Sequence, residues 1–293
     1  MIARIFPPDY RGFYIDVGAA DPEILSVTRH FYQAGWTGIN IEPVTRFCDR
    51  LRQARPRDVT LNLAIGETAG STEFFEFPEF SEYSGLDPGL RDHAALNNLE
   101  IIARQVEVAT LESVCDRYVR DRDIDFLKID VEGTELSVLN SGNWIKYRPV
   151  LVIVEAVEVD SRQENWHSWE PILTAKGYGK VWFDGLNNYY LREEDSGRRE
   201  AFRAPPNVFD HYVTADAAAL KAICDDRLDL INRLTAICEE RLELIGQLDR
   251  ACAERLEVIN RRSEEAASLR QLVEDRGAMI ASLQSTLFSQ LHK

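Results

Sequence analysis

The chain has 293 residues, a formal net charge of −15, 45% hydrophobic residues and 10% aromatics. That is enough for one sizeable globular domain plus an extension, and the acidic balance argues against a nucleic-acid polyanion as the main partner. Five cysteines without a C-x-x-C argue against a disulfide framework or a zinc site. Met1 to Tyr10 lacks the apolar core of a signal peptide, and no run approaches the roughly 18 apolar residues of a membrane span, so a reducing, cytoplasmic setting is expected.

In chain order, Phe13 to Gly18 reads as a buried strand that carries Asp16 near its end and runs into a glycine turn. Ser26 to Ala34 reads as a helix closed by Gly35, and residues 37–42 as a second strand ending in Glu42. Thr45 to Ala54 is expected to be helical, Val59 to Ile65 a third strand, and Thr72 to Phe77 a further strand. Ser81 to Asn98 is polar and irregular, and is read either as a loop over a substrate or as a surface excursion. The acidic loop residues Glu79, Glu82 and Asp87 could shape an acceptor site, with no position fixed by the sequence. Glu107 to Ala109 closes a short strand, and Thr110 caps a helix whose apolar face is Leu111, Val114 and Tyr118.

Residues 124–130 form the next strand, ending in Asp130 with Glu132 and Gly133 beyond it. A helix follows over 133–139. Pro149 to Glu155 is nearly continuous aliphatic, as expected of a central strand buried on both faces. Glu164 to Lys176 reads as a helix, and 181–183 with 188–191 as a hairpin around Asp184 and Asn187, which either bond substrate or make the turn. Alternating strands and helices followed by a hairpin describe a doubly wound α/β sheet.

Strand ends carrying Asp16, Glu42 and Asp130 converge on one crevice if the sheet is parallel, because ligands of open α/β sheets bind beyond the carboxyl ends of the strands. Glu42 stands where a ribose-binding carboxylate is expected in a nucleoside-binding βαβ unit. A dinucleotide would need the G-x-G-x-x-G cradle. Here Gly18 is followed by Ala20 and Glu23 at the other two glycine positions, and Glu23 would repel a pyrophosphate. An acidic, glycine-poor crevice suits the sulfonium of S-adenosylmethionine better.

From about Thr214 aromatics nearly vanish and proline is absent. A 14-residue repeat runs AICDDRLDLINRLT, AICEERLELIGQLD and, more loosely, RACAERLEVINRRS. Cys224, Leu228, Ile231, Cys238, Leu242, Ile245, Cys252, Leu256 and Ile259, with Thr235 and Asp249 filling the gaps, fall on alternating steps of four and three, which is a coiled-coil seam. A second apolar stripe through Leu230, Leu234, Ile237, Leu244 and Leu248 predicts a bundle of three or more helices. Homo-oligomerisation or docking to a partner helix is expected from 213–293, after a domain over 1–212.

The segments GFYIDVGAADP, SVTRHFYQAGWTGINIEP, LNLAIGETAG, VATLESV, IDFLKIDVEGTELSVLNSG, RPVLVIVEAVE, WFDGLNNYYL and PPNVFDHY fall in order between Gly12 and Tyr212. On these segments the chain resembles the FkbM-type S-adenosylmethionine-dependent methyltransferases, over about two thirds of its length. The resemblance implies the class I methyltransferase fold, a Rossmann-like, mostly parallel seven-stranded sheet with a reversed last hairpin. It implies that Asp16, Gly18 and Ala19 form the first cofactor motif, that Glu42 accepts the ribose hydroxyls, and that Asn62, Ala64 and Ile65 sandwich the adenine.

Methyl transfer to a hydroxyl needs a positioned base. Asp130, Glu132, Glu155 and His30 are the candidates, with Glu155 ending the strand beside Asp130. The three acids are also a ligand set for a divalent metal, although none is assigned. His30, next to Phe31, also reads as a packing residue, Glu132 as a helix cap, and Lys128 as a partner for an acid. Trp166, His167 and Trp169 read as core or as a sugar-stacking face. The expected activity is O-methylation of a carbohydrate, as in surface-polysaccharide assembly, or of a secondary metabolite. The alternative is a catalytically weak scaffold in which the coiled coil assembles glycan-biosynthesis partners.

Overall fold

The computed structural model describes residues 1–80, 83–158, 163–210 and 212–291. The chain divides into two units at Asp210.

The first unit is built on a seven-stranded sheet of order β3-β2-β1-β7-β8-β10-β9. Its strands are β1 (Phe13–Val17), β2 (Thr37–Ile41), β3 (Val59–Leu61), β7 (Phe126–Ile129), β8 (Leu151–Glu155), β9 (Tyr178–Phe183) and β10 (Asn187–Arg192). All neighbouring pairs from β3 to β8 are parallel, and β10 runs against both β8 and β9. This is the Rossmann-like sheet with a reversed last hairpin that the sequence predicts. Chain order reverses between β1 and β7, so a crevice opens at their carboxyl ends.

The apolar residues of the central strands divide cleanly between two cores. Ile15, Ile39, Leu127, Val152 and Val154 pack on one face, with Trp169 and Tyr190. Tyr14, Phe126, Leu151 and Ile153 pack on the other, with Phe31 and Trp36. Both faces are covered, which is why these strands read as unbroken hydrophobic runs. The polar exceptions Asp16, Asn40 and Lys128 are register partners across three adjacent strands, so they lie side by side at one level of the sheet.

The helices are α1 (Arg29–Gln33), α2 (Thr45–Ala54), α3 (Leu90–Asn97), α4 (Leu111–Tyr118), α5 (Glu135–Asn140) and α6 (Glu170–Thr174). The Thr110 hydroxyl caps α4 by accepting from the Ser113 N–H at 3.1 Å, as its position predicts. Four expectations need correction. The helix expected over 26–34 is confined to α1, because the Ser26 hydroxyl accepts from Arg55 and the Thr28 hydroxyl donates to Asp16, which holds the stretch before Arg29 in a turn. The strand expected over 59–65 breaks at Asn62, after which β4 (Ala64–Ile65) joins β5 (Gly70–Glu76) and β6 (Ile102–Ala109) in a second sheet of order β4-β6-β5. The irregular stretch 81–98 contains α3, and Glu82 lies outside the described residues. The helix expected over 164–176 shrinks to α6, preceded by a 3-10 turn at Trp166–Ser168.

The second unit is one helix, α7 (Ala215–Leu291), of 77 residues and about 115 Å. Among the described residues, no helix is long and apolar enough to cross a membrane.

Candidate functional site

A cavity of about 360 Å³ opens where β1, β2 and β7 end. Gly18 forms its floor with φ at +77°. A Cβ there would collide with the Asp130 carbonyl oxygen, so only glycine allows these two strand ends to approach. The Gly18 and Ala19 N–H groups donate to the Ile41 carbonyl at 3.0 and 3.2 Å, tying the β1 turn to β2.

Glu42 follows β2 and is only 4% exposed. One of its oxygens accepts the Ala20 N–H at 2.8 Å and the other the Val44 N–H at 2.7 Å. Each oxygen keeps a lone pair for a ligand hydroxyl. Burial pushes Glu42 up to about 7, against the opposing pull of those two donors.

A buried charged network, Asp16, Lys128 and Asp130, lines the same cavity. The Lys128 ammonium donates to the Gly18 carbonyl at 2.8 Å and pairs with Asp130 at 3.1 Å and Asp16 at 3.5 Å. Burial alone would lower this lysine, but the two carboxylates outweigh it and hold the ammonium above its ordinary value. The second Asp16 oxygen accepts the Thr28 hydroxyl at 2.7 Å, and Arg55 donates to that hydroxyl at 2.7 Å. Arg55 also holds the Pro22 carbonyl and the Ser26 hydroxyl, at 2.7 and 2.6 Å. One buried guanidinium thus fixes the loop 22–28, whose Ile24, Leu25, Ser26 and Val27 form a wall of the cavity. Leu25 is 90% exposed there with φ at +55°.

The lining also includes Ser84, Gly85 and Leu86 and the apolar side chains of Leu63, Ala64, Ile65 and Phe74. Gly85 exchanges both backbone hydrogen bonds with Phe75 and packs on Glu132, so the β5–β6 connection is docked on the turn after β7. Three non-glycine residues with positive φ, namely Ala20, Leu25 and Glu132, all line this one cavity. Backbone strain of this kind gathers at functional sites.

Oxygens of Asp130, Glu132 and Glu155 lie within 4.8 Å of one another. Burial, then the neighbouring Asp130 and Glu132 carboxylates, push Glu155 far above the ordinary carboxylate range. Burial and these neighbours thus disfavour a negative charge on Glu155 beside Asp130. Glu135, at the start of α5, is likewise pushed by burial up to about 7, opposed by the N–H groups it accepts, among them those of Gly133 and Val131.

A model of the FkbM methyltransferase domain matches residues 16–179, which is more than half of the chain. The chain belongs to the FkbM methyltransferase family. Among solved structures it is similar to the crystal structure of methyltransferase FkbM from Methylobacillus flagellatus KT, at 15% identity and a TM-score of 0.37. That match covers 62% of this chain and 44% of the other, so this chain spans less than half the length of that structure. No curated protein matches it.

Within this FkbM domain, Asp16, Gly18, Ala19, Glu42, Ala64, Ile65, Asp130 and Glu132 line one cavity, and Glu155 stands against Asp130. Three residues expected at the site from the sequence, Asn62, His30 and Glu155, are not among those that line it. The Asn62 side chain turns back to donate to the Glu42 and Pro43 carbonyls at 3.0 and 2.9 Å and faces a neighbouring concavity. His30 is exposed on α1 and packs edge-on against Phe31 at 5.4 Å. Trp166 and Trp169 are also away from the cavity walls. Trp169 is core, and Trp166 lies 4.1 Å from the Lys180 ammonium. Asp184 accepts the Leu186 and Asn187 N–H groups, which is the turn-making role. Arg55, Thr28 and the 24–27 wall escaped the sequence reading. Arg55 sits just before Pro56 in no pattern that betrays burial.

Proposed function

We propose that this FkbM domain moves a methyl group from S-adenosylmethionine to a hydroxyl oxygen of a carbohydrate or secondary metabolite. The observation that carries the reading is the charge of the cavity. Among its described lining residues are five carboxyl groups, Asp16, Asp21, Glu42, Asp130 and Glu132, against one ammonium, Lys128, which Asp16 and Asp130 already pair. Such a donor set suits a sulfonium and an amino group and repels a pyrophosphate. Its volume of about 360 Å³ falls in the range of small-ligand sites.

When bound, the cofactor supplies a methyl group on a good leaving group. What is asked of the chain is to hold, orient and deprotonate. Glu42 would hold the ribose diol, and charge strengthens those bonds. Gly18 and Ala19 would lie beneath the ligand, and Ala64 and Ile65 would flank its adenine. Asp130, at the mouth of β7, is the candidate to take the hydroxyl proton, with Glu132 beside it. Protonated Glu155 would donate to Asp130 and keep its carboxylate oriented. The reading assigns a proton, rather than a metal ion, to this trio.

The tail is read as an assembly element joining copies of the chain, in a reducing cytoplasmic setting. Full-length protein, incubated with S-adenosylmethionine and a panel of hydroxyl-bearing glycans and small molecules, is expected to release S-adenosylhomocysteine only with an acceptor. Asp130→Asn is expected to lower that rate about 100-fold. An acceptor-dependent rate unchanged in Asp130→Asn contradicts the assignment. A folded chain inert toward all acceptors favours the scaffold, for which the 77-residue helix is the supporting feature.

A further inference from the structure

Helix α7 carries all the exposed thiols among the described residues. Cys224, Cys238 and Cys252 are exposed, whereas Cys48 and Cys115 of the first unit are buried. The three thiols are fourteen residues apart and alternate with Ile231, Ile245 and Ile259 on one stripe, which is the d row of a heptad; Leu228, Leu242 and Leu256 stand in the a row. The isoleucines and leucines of both rows are more than half exposed on this helix.

We infer that α7 packs against further copies of itself in a parallel, in-register bundle, so that each cysteine faces the same cysteine of a neighbouring copy. A second copy is the occupant for three reasons.

The first is area. Beyond the repeats the a row turns to Ser263, Arg270 and Gly277, but the d row continues as Val273, Ile280 and Leu287. Exposed apolar residues thus run from Leu220 to Phe288 in a strip about 100 Å long and about 10 Å wide, about 1,000 Å² per copy, which exceeds the roughly 800 Å² per partner of a stable interface.

The second is charge, which also sets orientation. The g flank of the seam carries Arg227, Arg241 and Arg255, and the e flank carries Asp225 and Glu239. Parallel helices set g against e of the next copy, so these arginines face Asn232, Gly246 and Asn260 without like-charge contact. Antiparallel helices set g against g, which with the three repeats superposed puts Arg241 against itself and Arg227 against Arg255.

The third is register. In-register pairing sets the a-row residues Thr235 and Asp249 each against its own kind, the facing Asp249 carboxylates being a like-charge cost that the seam carries for its register. A slip of seven residues sets both against leucines, and a slip of fourteen forfeits a whole repeat. Leucine in the a row with isoleucine in the d row favours bundles of more than two strands, as does the second apolar stripe.

The test uses full-length proteins that each keep one tail cysteine, the other two being replaced by alanine, treated with diamide. Two facing thiols then join as a disulfide and pass two electrons and two protons to the diazene, which becomes the hydrazine. All three single-cysteine proteins are expected to double from 33.5 kDa on a non-reducing gel, while C224A/C238A/C252A stays single. Cross-linking at Cys238 alone would mean antiparallel pairing and overturn the inference, as would any other pattern short of all three sites. A monomeric wild type in sedimentation overturns it as well. None of these outcomes bears on methyl transfer, which is read separately by release of S-adenosylhomocysteine.

Discussion

The Lys128 ammonium lies 3.1 Å from Asp130 and 3.5 Å from Asp16, so one buried cation joins the end of β7 to the end of β1 in the wall of the cavity. Removing one partner of a buried ion pair strands a charge and costs about 3–5 kcal/mol. Lys128→Met is expected to lose stability on that scale, seen as a lower urea midpoint at pH 7. Adding Asp16→Asn to that variant is expected to recover part of the loss. An unchanged midpoint in Lys128→Met would mean the network does not support the fold.

Binding of S-adenosylmethionine is expected to strengthen with pH through Glu42. Its carboxyl is pushed by burial up to about 7, and ribose hydroxyls bond best to the ionised form. Affinity is then expected to rise about tenfold between pH 6 and 8 and to level off above. Calorimetry across that range checks it, with Glu42→Gln expected to give a flat profile.

Stability without ligand is expected to move the opposite way. Glu42 and Glu135 sit at about 7 in the folded chain against 4.5 for an ordinary glutamate. Between those values the unfolded chain holds fewer protons than the folded one. Their contribution is therefore complete below about 4.5 and is lost as pH rises to about 7, on the order of 3 kcal/mol per group. Urea unfolding at pH 5 and pH 8 measures it. Glu42→Gln and Glu135→Gln are each expected to reduce the pH dependence.

Chelation is expected to leave turnover unchanged, because burial and the neighbouring carboxylates favour a proton on Glu155, which would offset the charge at the Asp130–Glu155 contact without a metal. Activity measured with and without EDTA decides this. Loss on chelation and recovery with a divalent cation would reassign the trio of acids to a metal.

The sequence revealed most where a residue's environment repeats along the chain. The doubly buried strands β1, β2, β7 and β8 appear as aliphatic runs, and α2 was legible at both ends because Pro43 and Pro56 bracket it. Asp16, Glu42 and Asp130 interrupt or end such runs, so the acidic crevice could be read before the sheet was seen. What stayed hidden depends on contacts between distant segments. Thr28 is spent on Asp16 and Ser26 on Arg55, which shortens the helix before β2. Asn62 pins the chain where the third strand splits. His30 and Arg55 illustrate the same limit. One faces out and the other is buried at 2% exposure, and no local spacing separates them.

The central claim is that the cavity between β1 and β7 is an S-adenosylmethionine site, and titration calorimetry of the full-length chain tests it most directly. The account predicts micromolar binding, weakened about 100-fold in Glu42→Ala through loss of two charge-assisted hydrogen bonds. A folded wild-type chain that takes up no S-adenosylmethionine would contradict it.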